Sequence, residues 1–338
     1  MLILSRGDVM DLLTLDICID AVERAFRLHA EQRTFGPRVL GLPTEDGGFH
    51  IKVAGLRGER SYFAAKTNGN FPNNTRRFKL PTIQGTVFLA DATNGTPLAV
   101  MESGSITMLR TGAATAVAAK FLARPDSRTA TVVGCGVQGE IQLAAINAVL
   151  PLERALLLDT DQDRAEEAAA RATTRLALRA EAAKDLRQAL RESDILITCT
   201  PARRAFVMAA DVAPGTFIGA VGADSQGKQE IEPKLLATAT LVVDVVEQCA
   251  EIGELQHALA GGLMTREQVH AELADVVAGR RPGRTRRDEI TIFDSSGTAL
   301  QDVAAAIAVY EKARASGRGT DVALDDSPTA SLRQGASP

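Results

Sequence analysis

The chain has 338 residues, of which 45% are hydrophobic and 24% charged, as is usual for a soluble globular protein, and its length predicts two domains. A net charge of −4 gives no electrostatic reason to expect nucleic acid as a partner. No stretch approaches the ~20 apolar residues of a membrane span, and the N-terminus is too briefly apolar for a signal peptide, so we expect a cytoplasmic protein with no membrane partner.

The N-terminal third predicts one helix followed by a sheet. A helix over residues 16–33 is indicated by an apolar stripe: Cys18, Val22, Ala25, Phe26 and His29. Five apolar segments between turn residues then predict an antiparallel sheet: VLGLPT, FHIKVAGL, YFAAKTNGN, TIQGTVFLAD and PLAVMES. The segment SITMLRTGAATAVAAKFLA predicts a long helix that ends before Pro125.

From Thr129 onward, strands and helices alternate. The predicted strands are the continuous apolar runs TATVVG, RALLLD, DILITCT, TFIGAVG and TLVVDVV. Such runs suit strands that are covered on both faces, so we predict a parallel, doubly wound α/β sheet. The segment ITIFDSSGTALQDVAAAIAVYEKA predicts a strand, a turn and a helix, and the tail from Ser316 has the composition of disorder.

A glycine-rich loop lies between the first of these strands and the helix that follows it. Gly134, Gly136 and Gly139 fit the pattern G-x-G-x-x-G. Alone this pattern is weak evidence for a dinucleotide-binding loop, but it is strong evidence when it lies between a strand and a helix. The first glycine permits the turn, the second lets the backbone approach a pyrophosphate, and the third lets the helix pack closely. Asp159 ends the next strand, where a carboxylate accepts hydrogen bonds from ribose hydroxyls and repels a 2′-phosphate. We therefore predict NAD(H) as the cofactor, with NADP(H) less favoured because Arg164 lies nearby.

Charged residues outside this loop are candidates for substrate chemistry. Lys66 lies in an apolar strand and Arg110 in a helix of small residues, where an unpaired charge would be costly. Together with Arg38, which follows Pro37, these cations could bind a carboxylate, although each could equally form a structural ion pair. Asp224 follows a parallel strand and could serve as a proton relay or as a helix N-cap.

The sequence resembles the ornithine cyclodeaminase/mu-crystallin family from about residue 36 to 310. The resemblance is carried by GPRVL, AAKTN, LPTIQGTVFLAD, LRTGAATAVAAKFLA, VVGCGVQG, VGADSQGKQE and FDSSGTALQD. It implies a homodimer built from a Rossmann domain and an α+β substrate-binding and dimerisation domain. We place the substrate-binding domain at 1–118, completed by a C-terminal helix at 298–315, the Rossmann domain at 119–297, and a disordered tail at 316–338.

The resemblance also implies roles for the candidate residues. Arg38, Lys66 and Arg110 would bind the carboxylate of a small α-amino or α-imino acid, while Lys66 and Asp224 would handle protons near its nitrogen. Counting back from Lys66 without gaps places Lys52 near the position where the family's cyclodeaminases carry a Glu that holds the substrate amine. A cation there would repel the distal ammonium of ornithine or lysine.

The remaining assignments concern the pocket wall and the cofactor. His50 shares a strand face with Lys52 and could line the pocket or simply pack. The predicted cofactor-binding residues are Gly134, Gly136, Val137, Gln138, Gly139, Asp159, Thr111, Thr200, Val221, Gly222 and Ser296. The cysteines and histidines show no metal-ligand spacing, so no metal site is predicted.

Three functions remain open from the sequence. The favoured one is an NAD(P)H-dependent reductase of small α-imino acids, or an amino acid dehydrogenase. The second is an ornithine or lysine cyclodeaminase, in which NAD is recycled within the catalytic cycle. The third is a nucleotide-dependent binding protein of the mu-crystallin type.

Overall fold

The computed structural model describes residues 1–324, which form two large sheets and their helices. The elements of the N-terminal part, in chain order, are β1 (Leu2–Leu4), α1 (Arg6–Leu12), α2 (Leu15–Ala30), β2 (Thr34–Thr44), β3 (Gly47–Arg57), β4 (Ser61–Asn70), α3 (Asn74–Phe78), β5 (Ile83–Asp91), β6 (Pro97–Glu102) and α4 (Ser103–Leu122). The five predicted strands and both predicted helices are present, although α2 ends at Ala30 rather than at residue 33.

The remaining elements alternate between strands and helices. They are β7 (Thr129–Val133), α5 (Val137–Val149), β8 (Arg154–Leu158), α6 (Gln162–Leu176), β9 (Arg179–Ala182), α7 (Leu186–Arg191), β10 (Ile195–Thr198), β11 (Arg203–Val207), β12 (Phe217–Ala220), β13 (Gln229–Ile231), α8 (Pro233–Thr238), β14 (Thr240–Val243), α9 (Val246–Ile252), α10 (Leu255–Ala260), β15 (Ala271–Glu272), α11 (Leu273–Val277), β16 (Thr291–Asp294), α12 (Ala299–Ser316) and β17 (Thr320–Asp321).

The first sheet has seven strands in the order β17-β1-β6-β5-β4-β3-β2. The four pairings from β6 to β2 are antiparallel, as is the pairing of β17 with β1, whereas β1 and β6 are parallel. Lys52 on β3 lies directly opposite Lys66 on β4. Directly opposed residues of an antiparallel pair point to the same face, so the register brings these two lysines together.

The second sheet has eight parallel strands in the order β15-β14-β16-β12-β10-β7-β8-β9, which confirms the predicted doubly wound α/β arrangement. The chain runs outward from β7 through β8 to β9 and then returns to place β10 on the other side of β7. The order therefore reverses between β7 and β10, and ligands of open α/β sheets bind at this point, beyond the carboxyl ends of the strands.

Two long helices connect the sheets. Nearly all of α4 is buried, because it contacts α2, α12 and β5 on one side and α5, β12 and β16 on the other. Helix α12 returns to the first sheet and packs on β3, β4 and α2. The predicted domain boundary at residues 118/119 lies inside α4, so the chain has no break there, and the two-domain division stays a prediction.

The chain after α12 departs from the predicted disorder. Strand β17 pairs with β1, and the amino group of Met1 donates to the carbonyl of Val322 at 3.0 Å. The expectation of disorder from residue 316 is therefore wrong for these residues, because β1 offers a free edge that the sequence analysis did not recognise as a strand; residues 325–338 lie outside the described part. Within residues 1–324, no helix has the length and apolar character needed to span a bilayer.

Candidate active site

Each glycine of the G-x-G-x-x-G loop meets a different steric requirement for the absence of a side chain. Gly134 has a φ of +101°, and a Cβ there would lie 2.8 Å from the carbonyl oxygen of Cys199. A Cβ on Gly139 would lie 2.1 Å from the carbonyl oxygen of Gly134, so only glycine lets α5 pack this closely on the loop. A Cβ on Gly136 would meet nothing within 4 Å. The open space is therefore at the middle glycine, where a pyrophosphate would approach the backbone.

The N-terminus of α5 lies at this open space. Gly136 is the N-cap residue and supplies no side-chain hydrogen bond to the first turn, and Val137 is largely exposed. The buried Oε1 of Gln138 has no hydrogen-bond partner among the described residues. Free N–H groups and the positive end of the helix dipole favour an anion here, so the loop fits the phosphates of a dinucleotide.

Asp159 follows β8 and reaches back to the same loop. Its carboxylate accepts hydrogen bonds from the amides of Cys135, at 2.8 Å, and Asp161, at 3.0 Å. Burial acts to raise the pKa of Asp159, but these two amides and the nearby Arg164 guanidinium hold it below the usual range. Asp159 is thus a carboxylate fixed beside the loop, where it fits a ribose diol and opposes a 2′-phosphate.

The carboxyl ends of β10 and β12 are joined by a residue that the sequence analysis missed. Oε1 of Glu230 accepts from the amide and hydroxyl of Thr200, both at 2.7 Å, and its Oε2 accepts from the amide of Gly222 at 2.9 Å. A Cβ on Gly222 would lie 2.4 Å from this carboxylate, and the neighbouring Val221 is also buried. Glu230 therefore fixes the two loops that flank the cofactor cleft opposite the glycine loop.

Two other predicted cofactor residues use their hydroxyl groups within the protein. Thr111 donates to the carbonyl of Thr107 at 2.7 Å. Ser296 donates to Oδ1 of Asp244 at 2.6 Å and is almost fully buried. Their contact with a cofactor stays a prediction.

Three cations and one carboxylate meet where β3, β4, α4 and α12 converge. Oδ1 of Asp302 lies 2.6 Å from Nζ of Lys66 and 3.0 Å from Nε of Arg110. Asp302, Lys66 and Arg110 are exposed by only 1%, 2% and 5%. Asp302 was not predicted as a site residue, although a carboxylate among the alanines and valines of α12 was the available signal.

The environment of this cluster lowers the pKa of Lys66. Burial lowers the pKa of Lys66 to about 7; the carboxylate of Asp302 opposes that shift, while the charges of Arg110 and Lys52 add to it. Burial tends to raise the pKa of Asp302, but the three cations hold it below its usual range. Lys66 is therefore an ammonium that can release a proton near neutral pH.

Lys52 is the least buried residue of the three cations, since it is partly exposed whereas Lys66 and Arg110 are buried, but its ammonium group lies inside the protein. Its Nζ donates to the carbonyl of Gly297 at 2.5 Å, and burial followed by the charge of Arg110 lowers its pKa. Arg110 donates from Nη1 to Oε1 of Gln301 at 2.7 Å.

Arg38 does not join this cluster, which corrects the expectation that Arg38, Lys66 and Arg110 converge. Between the pairs Phe35–Gly55 and Arg38–Val53, β2 contains one residue more than β3. Such a bulge reverses the alternation of side chains, so Arg38 shares a face with Val53 and points away from the face of Lys52.

Asp224 and His50 lie at the edge of the cluster. The Asp224 side chain is 56% exposed and pairs with Nζ of Lys228 at 2.6 Å, so it does not contact Lys66. Burial and then the charge of Lys52 lower the pKa of His50, while the charge of Asp224 opposes this shift.

The chain is similar to known proteins over nearly its whole length. Residues 1–317 match the model of the ornithine cyclodeaminase/mu-crystallin family. The chain is 37% identical to an alanine dehydrogenase of Archaeoglobus fulgidus, over 95% of this chain and 98% of that protein.

Three solved structures share the fold. An archaeal alanine dehydrogenase dimer with bound NAD has a TM-score of 0.92 at 37% identity, over 96% of this chain and 99% of that one. A Δ1-pyrroline-2-carboxylate reductase of Thermococcus litoralis, in complex with NADH and L-proline, has a TM-score of 0.91 at 35% identity, over 95% and 100%. A lysine cyclodeaminase has a TM-score of 0.83 at 31% identity, over 99% of both chains.

Proposed function

This chain belongs to the ornithine cyclodeaminase/mu-crystallin family, and from that premise we propose that it is an NAD(H)-dependent reductase of small α-imino acids, which also catalyses the reverse dehydrogenation of amino acids. The observation that carries the proposal is the buried Lys66–Asp302–Arg110 cluster with the partly exposed Lys52 beside it. It combines a proton donor with a binding point for a carboxylate, the two groups that imine reduction requires of a protein.

The residues around the glycine loop fit NAD(H). The backbone at Gly136 and the N-terminus of α5 would bind the pyrophosphate, Asp159 would bind the adenosine ribose, and the loops fixed by Glu230 would flank the nicotinamide. When bound, NADH supplies the hydride that is added to the substrate Cα. The charge of Asp159 favours NAD(H) over NADP(H).

The protein's own contribution is to hold the substrate and move one proton. Lys52, the least buried residue of the three cations, and Arg110 bind the carboxylate. Lys66 gives a proton from Nζ to the imine nitrogen, and the carboxylate of Asp302 keeps that proton on Lys66 until then. Asp224, at the exposed edge of the cleft, passes protons between solvent and the site. Holding the imine in one orientation makes the transfer effectively intramolecular.

A cyclodeaminase is the second candidate, because the similarity to lysine cyclodeaminase covers 99% of this chain. Such an enzyme must hold a second ammonium on its substrate. The least buried residue of the cation cluster is Lys52, and its ammonium would repel that group, so we favour net reduction.

We further propose a homodimer, as found in the archaeal alanine dehydrogenase structure. The face of the seven-stranded sheet opposite Lys52 carries Leu42 and Phe49, which are directly paired and exposed. Further exposed apolar side chains are Leu40, Phe78, Leu80 and Ile83. Apolar patches of this kind are typical of subunit interfaces.

The direct test is oxidation of NADH in the presence of Δ1-pyrroline-2-carboxylate, or of pyruvate with ammonium. We expect NADH consumption with at least one of these, and Lys66→Met should abolish it while NADH still binds. Retention of more than about a tenth of the rate by Lys66→Met would amount to less than about 1.4 kcal/mol of barrier and would remove Lys66 from catalysis. Ammonia release from ornithine without net NADH would instead establish the cyclodeaminase.

A further inference from the structure

The turn between β16 and α12 is held by a carboxylate from the neighbouring strand. Asp244 follows β14 and is fully buried. Its Oδ2 accepts from the amide of Gly297 at 2.6 Å, and its Oδ1 accepts from the hydroxyl of Ser296 at 2.6 Å and the amide of Val245 at 2.9 Å. Gln248 also donates to the Ser296 hydroxyl, at 2.9 Å. The carboxylate thus fixes the turn through two consecutive residues.

The same turn contacts two cations of the substrate pocket. The carbonyl of Gly297 accepts from Nζ of Lys52 at 2.5 Å. Gly297 has a φ of +78°, and a Cβ there would lie 2.7 Å from Nη1 of Arg110. A displacement of Gly297 would therefore move the acceptor of Lys52 and disturb the space next to Arg110.

We propose that Asp244 is a positioning residue that acts through Gly297 to hold Lys52 against the substrate carboxylate. The inference rests on the proposed function, because it takes Lys52 as the carboxylate ligand. Asp244 belongs to the parallel sheet, which carries the glycine loop, whereas Lys52 belongs to the antiparallel sheet. Asp244 thereby fixes the substrate relative to the cofactor side of the cleft.

The thiol of Cys249 also donates to Oδ1 of Asp244, at 3.2 Å. A carboxylate is needed at position 244 because all four groups that approach it donate hydrogen bonds. An amide would direct its NH₂ group toward one of these donors and leave that donor unpaired. Asp244→Asn should therefore displace the turn while conserving the volume of the side chain.

The test is a double-mutant cycle between positions 244 and 52, measured on wild type, Asp244→Asn, Lys52→Met and the double variant. We expect Asp244→Asn to raise the KM for the imino acid about tenfold or more, in line with the loss of hydrogen bonds to a charged group. The dissociation constant of NADH should change less than about twofold. In the Lys52→Met background, Asp244→Asn should have almost no further effect, because the group that it positions is gone. Independent, multiplicative effects of the two substitutions would overturn the proposal.

Two further variants test whether the effect of Asp244 on the KM for the imino acid acts through the turn. Ser296→Ala removes one hydrogen bond to Asp244 but keeps its charge, so it should raise the same KM by a smaller factor, again only when Lys52 is present. If Asp244→Asn does not fold, the proposal is tested with Ser296→Ala alone. An unchanged KM for the imino acid in Ser296→Ala would contradict the proposal. Glu230→Gln is the contrasting variant, since its partners flank the cofactor cleft, and it should raise the KM for NADH instead.

Failure of the proposed function can be distinguished from failure of this inference. If wild type reduces no imino acid, the cycle is repeated on the affinity for L-proline in the presence of NADH, measured by calorimetry. Coupling between positions 244 and 52 in that affinity would support the positioning role, and its absence would exclude it.

Discussion

Lys66 and Asp302 form an ion pair across the interface between β4 and α12, with Nζ 2.6 Å from Oδ1 and both side chains almost completely excluded from water. Burial works against the ammonium, and the carboxylate of Asp302 works for it. The balance leaves the pKa of Lys66 at about 7, where a modest change of environment alters its protonation. The pair therefore sets the pH range in which Lys66 can donate a proton.

The first prediction concerns Asp302→Asn. Lys66 must be protonated to donate, so reductive kcat/KM in wild type should fall as pH rises through about 7. Without the carboxylate, the pKa of Lys66 falls further, and the alkaline limb of the profile should move to lower pH. Profiles of kcat/KM from pH 5 to 9 would reveal this, with the exposed Asp321→Asn as a control that leaves the limb in place. An alkaline limb that is unchanged in Asp302→Asn would show that this pair does not govern the proton.

The second prediction separates Arg110 from Arg38. Arg110→Ala leaves the carboxylate of Asp302 with one partner fewer and removes a carboxylate ligand, so kcat/KM should fall by roughly 10–100-fold or more, as for a charged hydrogen bond. Arg38→Ala, on the opposite face of the sheet, should change kcat/KM by less than about threefold. Steady-state kinetics of the two variants compare these effects directly. A comparable loss in both would mean that Arg38 reaches the pocket despite the bulge in β2.

The sequence predicts the sheets and the cofactor loop well because their signals are local. Apolar runs and glycine spacing indicate strands and turns from a few neighbouring residues. The register of β3 and β4 places Lys52 beside Lys66, as the alternation of side chains along a strand implies. Asp302 was missed because its partnership with Lys66 spans 236 residues and depends on how α12 returns to the first sheet. Arg38 was misplaced because one extra residue in β2 reverses the alternation, and sequence periodicity does not reveal where a strand bulges.

The third prediction concerns cofactor choice. Asp159→Asn keeps the shape of the side chain but removes the charge that opposes a 2′-phosphate, so the preference for NADH over NADPH should narrow by about tenfold. The kcat/KM values for both cofactors give this ratio. Asp161→Asn is the matched control, because Asp161 is a neighbouring acid that caps α6 and does not contact the glycine loop. A wild type that already uses NADPH more efficiently would contradict the role given to Asp159.

The fourth prediction concerns the charge at Lys52 and the choice between reduction and cyclisation. A distal substrate ammonium about 4 Å from Nζ of Lys52 would be repelled by roughly 4 kcal/mol at an effective dielectric constant of 20, so ornithine and lysine should bind poorly. Cyclic imines and imines with an uncharged side chain avoid this repulsion and should react. Lys52→Glu reverses the charge, so it should weaken the reduction of Δ1-pyrroline-2-carboxylate and strengthen the binding of ornithine. Lys234→Glu, on the exposed surface of α8, should change neither.

Incubation with NAD and ornithine should yield little proline or ammonia in wild type. Efficient conversion of ornithine to proline without net NADH would show that the Lys52 ammonium does not exclude a cationic side chain, and the cyclodeaminase would then replace the reductase as the function of this protein.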